Sequence, residues 1–78
     1  MKIKCFGIAK DITAASEIVA EGSSISSVSD LRQWLSSTYP AFANMKSCMI
    51  AVNQEYAEDN LLISDQDEIA IIPPVAGG

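Results

Sequence analysis

Few residues in this chain have the types and spacing that chemistry needs. It closes Ile71-Ile72-Pro73-Pro74-Val75-Ala76-Gly77-Gly78, a stiff pair of prolines followed by a flexible pair of glycines. Proline pairs hold a segment extended and lower the entropy lost when it inserts into a partner. Glycine has no Cβ and so allows close approach and unusual dihedrals at the tip. The other candidates exclude more than they offer. Cys5 and Cys48 are far apart and neither has a second ligand nearby, so no local redox or zinc motif is formed. Both lie in apolar, strand-like stretches and read as buried small hydrophobes. Histidine is absent, which removes the usual general base, the commonest metal ligand and any Ser-His or Cys-His nucleophile. No metal site is expected, and any chemistry must come from elsewhere.

The elements that would position the tail are legible from periodicity. Residues 2–8 alternate as a strand, with Ile3 and Cys5 on one face and Lys2, Lys4, Phe6 and Ile8 on the other. The segment KDITAA turns the chain into a second short strand over residues 16–20, giving a hairpin. After the loop EGSSIS, Ser27 and Asp30 have capping-box spacing and open a helix whose apolar stripe is Val28, Leu31, Trp34, Leu35 and Thr38. Arg32, Gln33, Ser36 and Ser37 face water, and Pro40 stops the helix. Trp34 is expected in the core.

Residues 47–52 form the next strand, followed by the turn NQE and a short run at Tyr56 and Ala57. Leu61, Leu62 and Ile63 read as a tight turn or short strand plugging the core edge. The turn SDQD leads to a last strand over residues 68–72, which Pro73 and Pro74 terminate because neither has an N–H for the ladder. Strand, strand, helix, strand, short strand, strand is the order of an α+β chain of ubiquitin-like β-grasp type, with a mixed sheet of about five strands on one main helix. The expected organisation is a domain over residues 1–72 and an extended tail over 73–78, with the last strand near mid-sheet as a rigid anchor.

Composition narrows the class of function. A chain of 78 residues makes one domain, and its 49% apolar and 19% charged residues fit a folded globular protein. A formal charge of −5 provides no broad basic surface for phosphate backbones, so neither nucleic acid nor an anionic membrane is an expected partner. The apolar run near the N-terminus stops at Lys10 and Asp11, short of a signal peptide, and no run is long enough to span a bilayer. A cytoplasmic location is expected.

FGIAKDI at 6–12, AVNQEYA at 51–57, the acidic turn with DEIAII at 65–72 and PPVAGG at 73–78 together resemble the small subunit of molybdopterin synthase, the MoaD-type sulfur carriers. The likeness covers almost the whole chain. It departs where Ile71 and Ile72 replace residues that are often aromatic in the family, and where Ala76 replaces Thr or Ser. The resemblance implies that the Gly78 carboxylate is the reacting group, with Gly77 beside it at the thin tip. An adenylating enzyme like those that activate ubiquitin would use ATP to form a mixed anhydride, and a sulfur-donor system would convert it to a thiocarboxylate. The large synthase subunit would receive the tail and hold the substrate, cyclic pyranopterin monophosphate, so the chain itself would bind no cofactor. Related carriers serve thiamine thiazole synthesis, and a ubiquitin-like modifier or interaction domain is the other class with this outline.

If the helix covers the face of Ile3, Ile69 and Ile71, parity leaves Phe6, Ile8 and Ile72 on the open face, with Tyr56 extending it. Such a patch marks a partner site, and Pro73, Pro74, Val75 and Ala76 would continue it into the tail. Glu58, Asp59, Asp65, Asp67 and Glu68 read as a solvated acidic edge.

Overall fold

The computed structural model describes residues 1–20, 25–44 and 48–72. Strand β1 (Lys2–Cys5) leads to a short helix α1 (Ile8–Thr13) and strand β2 (Glu17–Val19). The main helix α2 (Val28–Thr38) and a 3-10 helix (Pro40–Asn44) come next, then strands β3 (Met49–Val52), β4 (Glu55–Tyr56) and β5 (Ile69–Ile72). The five strands form one sheet in the order β2-β1-β5-β3-β4. β5 is therefore central, parallel to β1 and antiparallel to β3. This is the expected ubiquitin-like β-grasp arrangement.

Cross-strand register builds the core. Ile18, Ile3, Ile69 and Val52 stand opposite one another across four strands, and Cys5, Ile71 and Ile50 form the next row. All seven are buried, and α2 adds Val28, Leu31 and Leu35 to the same cluster. Each fully buried aliphatic side chain contributes about 1.5–3 kcal/mol. Both thiols are free and buried, as expected of small hydrophobes, and burial pushes the Cys48 thiol up, with the Arg32 charge opposing in part.

The start of α2 follows its sequence signal with one variation. Ser27 is the N-cap, and its hydroxyl accepts from the Asp30 N–H at 3.2 Å. The Asp30 carboxylate reaches past the cap and accepts from the N–H of Ser26 at 3.1 Å and its hydroxyl at 3.0 Å. Aspartate is one carbon shorter than the usual glutamate, and here it serves the residue before the cap. These bonds, led by the Ser26 N–H, hold the Asp30 carboxyl below its ordinary range.

Several expectations are corrected. The first strand stops at Cys5, because Gly7 (φ 54°) turns the chain and Ile8 begins α1. KDITAA is not a hairpin turn: most of it is helical, capped by left-handed Ala14, with Ala9 buried beneath. The β1–β2 pairing is antiparallel as expected, but its connection is a helix. Pro40 does follow the end of α2, yet it also opens the 3-10 helix that brings Phe42 into the core. Thr38 is exposed, whereas Arg32 and Ser36 are half-buried. Trp34 is half-buried too, packed on the core and set edge-on to Tyr39 with ring centroids 6.4 Å apart. Of the 61–63 run only Ile63 is buried; Leu62 forms a single bridge to Ser27 and remains exposed. The expected first residue of β3, Ser47, and most of the loop before α2 lie outside the described residues. No described helix is long and apolar enough to cross a membrane.

These positions rank two substitutions. Leu31→Ala, at a site with no exposure, is expected to destabilise by about 2–5 kcal/mol, whereas Trp34→Ala costs less because part of the indole is already solvated. Urea unfolding of the two variants checks the order, and native Trp34 fluorescence should lie between the buried and solvated limits.

Candidate functional site

The sheet has one face under α2 and one open. On the open face Glu17, Lys4, Ala70, Ala51 and Tyr56 stand opposite one another in a row from β2 to β4. Ile72 faces Met49 in the neighbouring row. The row is charged at the β2 and β1 end and apolar from β5 onward. Alanines on the neighbouring strands β5 and β3 leave a trough between the larger side chains that flank them.

That trough is a groove of about 470 Å³. Ala51 and Ala70 line it together with Phe6, Tyr56 and Ile72, while Lys4, Glu68 and Gln54 supply its polar rim. Phe6 is 49% exposed and Tyr56 63%, an unusual degree of solvation for aromatic side chains in a domain this small. A larger depression of about 580 Å³ lies beside it, where Met1, Val19 and Ile69 are interspersed with charged side chains such as Lys2, Glu17 and Asp65. The apolar groove is the stronger docking candidate, since it gathers the exposed aromatics and is bordered by Ile72, the residue immediately before Pro73.

The groove's polar edge is held by a small network. Lys4 Nζ donates to Glu68 Oε1 at 2.9 Å. This bond and the accompanying charge raise the Lys4 pKa above 10.5 and lower that of Glu68 below 4.5. Behind them Asn53 joins the β3–β4 turn to the loop before β5. Its N–H donates to the Glu68 carbonyl at 2.8 Å, its side-chain amide donates to Asp67 Oδ1 at 3.0 Å, and its side-chain oxygen accepts from the Glu68 N–H at 3.0 Å. Asp67 also accepts from the Ser64 N–H at 2.8 Å, and these contacts, led by Asn53, hold its carboxyl below the ordinary 3.8.

Of the expected docking residues, the fold brings Phe6, Tyr56 and Ile72 together. Ile8 is corrected: it is exposed, but it opens α1 and does not line the groove, because the strand that would have carried it there ends three residues earlier. Pro73, Pro74, Val75, Ala76, Gly77 and Gly78 lie outside the described residues. Ala51 and Ala70 also line the groove; strand parity places both on this face, but small side chains give no sequence signal of an exposed patch. Gln54 and the Lys4–Glu68 pair, whose partners are separated by 64 positions, are likewise brought to the site only by the fold. The acidic residues serve separate contacts: Asp59 pairs with Arg32 at 2.8 Å, Asp65 with the Met1 ammonium at 3.5 Å, and Glu68 with Lys4. No group of metal-binding side chains occurs among the described residues.

Comparisons with known proteins agree with this geometry. The model of the ThiS family matches residues 3–78. The chain is 30% identical over 79 residues to an Arabidopsis thaliana molybdopterin synthase sulfur carrier subunit, covering all of this chain and 82% of that protein. It is 33% identical over 81 residues to the Chlamydomonas reinhardtii protein of the same name, covering all of this chain and 98% of that one. A putative molybdopterin converting factor subunit 1 from Pyrococcus furiosus superposes with a TM-score of 0.83 at 23% identity, covering 95% of each chain. A chain from the Helicobacter pylori complex of subunits 1 and 2 of molybdopterin-converting factor gives 0.64 at 26% identity, covering 99% of this chain and 96% of that one.

The ion pair at the groove has a defined pH window. Glu68, lowered in the fold, contributes above its ordinary 4.5 and loses that contribution as pH falls through its folded value. Lys4, raised in the fold, contributes below 10.5 and loses it as pH rises through its folded value. Both groups are solvated, so the effect on stability is small and salt-sensitive. Lys4→Met should move the Glu68 pKa up toward 4.5, as read from its side-chain carboxyl by NMR titration.

Proposed function

The chain belongs to the ThiS family, and from that premise we propose that it is the sulfur-carrying small subunit of a molybdopterin synthase, acting through the carboxylate of Gly78. What carries the reading is full-length similarity to proteins of that name together with a Gly-Gly end only a few residues beyond the central strand of the sheet. The relatives' names favour molybdopterin over thiamine thiazole as the product served.

A carboxylate is ionised at neutral pH and is a poor electrophile. In the proposed cycle a Gly78 carboxylate oxygen attacks the α-phosphorus of ATP on an adenylating partner, and pyrophosphate leaves. The terminal sulfur of a persulfide then attacks the acyl carbon and AMP departs. Reductive cleavage of the new S–S bond by a thiol leaves the thiocarboxylate. The loaded tail enters the large synthase subunit, where two successive transfers from two carriers build the dithiolene from cyclic pyranopterin monophosphate. The domain supplies no acid or base for these steps, in keeping with its lack of histidine; its contribution is to dock and to aim the tail.

Docking is assigned to the groove. Phe6, Tyr56 and Ile72 present apolar surface beside the start of the tail, so one contact can seat the domain and direct Gly78 into the partner. The H. pylori complex joins the two subunits of a related factor, which supports the large subunit as a partner of this chain.

Two variants test the two halves of this reading. A chain lacking Gly78 should bind the large subunit but never show the mass gain of one oxygen replaced by sulfur after incubation with the adenylating enzyme, ATP and a sulfur donor, because the acyl carbon is withdrawn by about 3.5 Å. Ile72→Glu should keep the fold and lose roughly thirtyfold in affinity for the large subunit, the scale of a buried anchor lost from an interface. Sulfur loading of the truncated chain would overturn the carrier assignment.

A further inference from the structure

The two-residue loop that closes Val52 against Glu55 is strained in one place. Asn53 (φ 53°) and Gln54 (φ 71°) are both left-handed, as a tight hairpin of this length requires. Asparagine tolerates that backbone. The second position ordinarily takes glycine, because any Cβ there crowds the neighbouring carbonyl. The three short bonds that tie the loop to Asp67 and Glu68 all use Asn53. The Gln54 side chain lines the groove beside Tyr56 and Ile72. A strained residue kept where glycine would relax the turn points to a use for its side chain.

We propose that Gln54 is a partner-binding residue of the docking face, whose carboxamide pairs with a main-chain peptide group of the large-subunit segment that fills the groove. This rests on the reading of the groove as the large-subunit site. An apolar segment that settles over Phe6, Tyr56 and Ile72 brings its backbone with it, and a desolvated N–H or C=O needs a partner. The other polar groups on the rim, Lys4 and Glu68, are paired with each other at 2.9 Å. A carboxamide is neutral and offers both donor and acceptor, the complement of a peptide group.

The test uses purified full-length chain and purified large subunit, with calorimetry for affinity and thermal melting for stability, on Gln54→Gly, Gln54→Met and Ile72→Glu. Gln54→Gly should melt higher than the parent and yet bind about tenfold more weakly, two changes that a purely structural role would not produce together. Gln54→Met keeps the strain and the length, so it should melt like the parent and bind about tenfold more weakly as well. Parental affinity in either Gln54 variant, with Ile72→Glu impaired, overturns the assignment to Gln54 alone, as does a glycine variant that melts no higher. Parental affinity in Ile72→Glu overturns the docking face on which the inference stands.

Discussion

The structure depends on the two-sided pairing of β5. This strand is paired with β1 in parallel and with β3 in antiparallel, so Ile69, Ala70 and Ile71 each have a neighbour fixed on both flanks and Ile72 has one on β3. Its alternation then divides the domain: Ile69 and Ile71 have no exposure beneath α2, while Ala70 and Ile72 look onto the open face. A slip of one residue would exchange the two sets and lose the core and the groove together. Since the tail follows β5 directly, the contacts that stabilise the fold also set the point from which the tail departs.

The open face shows how little sequence is needed to make a site once that strand is fixed. Two alanines on neighbouring strands create the trough, and aromatic and aliphatic side chains around it supply the contact surface. Lys4 and Glu68 neutralise each other at its edge, so an apolar partner meets no unpaired charge there. Asn53 fastens the β3–β4 turn to the loop before β5, which keeps Gln54 and Glu68 in place on the same rim. The polar groups of this face act as a frame for binding.

Among the described residues the core is built from apolar side chains and two thiols. Both cysteines are buried among apolar side chains, and burial raises the Cys48 thiol away from the reactive thiolate. Among the described residues no buried polar side chain lacks a partner, so no polar atom inside the domain is held ready for a ligand.

The sequence by itself determined the features whose signals are local. Strand alternation separated Ile3, Ile69 and Ile71 from Lys4 and Ile72, Ser27 and Asp30 marked the start of α2, and the Pro-Pro and Gly-Gly pairs singled out the tail. Only the tertiary structure decided the rest. Helix α1 is six residues long, too short for its periodicity to show, and it buries Ala9 against the sheet; that contact placed Ile8 outside the groove. The 3-10 helix after Pro40 is anchored by Phe42 entering the core, a contact no nearby residue announces. Trp34 lies on an apolar stripe yet is half-solvated, packed on the rim of the core and edge-on to Tyr39. Ala51, Ala70, Gln54 and the Lys4–Glu68 pair acquire their roles from neighbours on other strands, and such neighbours are set by strand order and register, which local patterns along one chain do not encode.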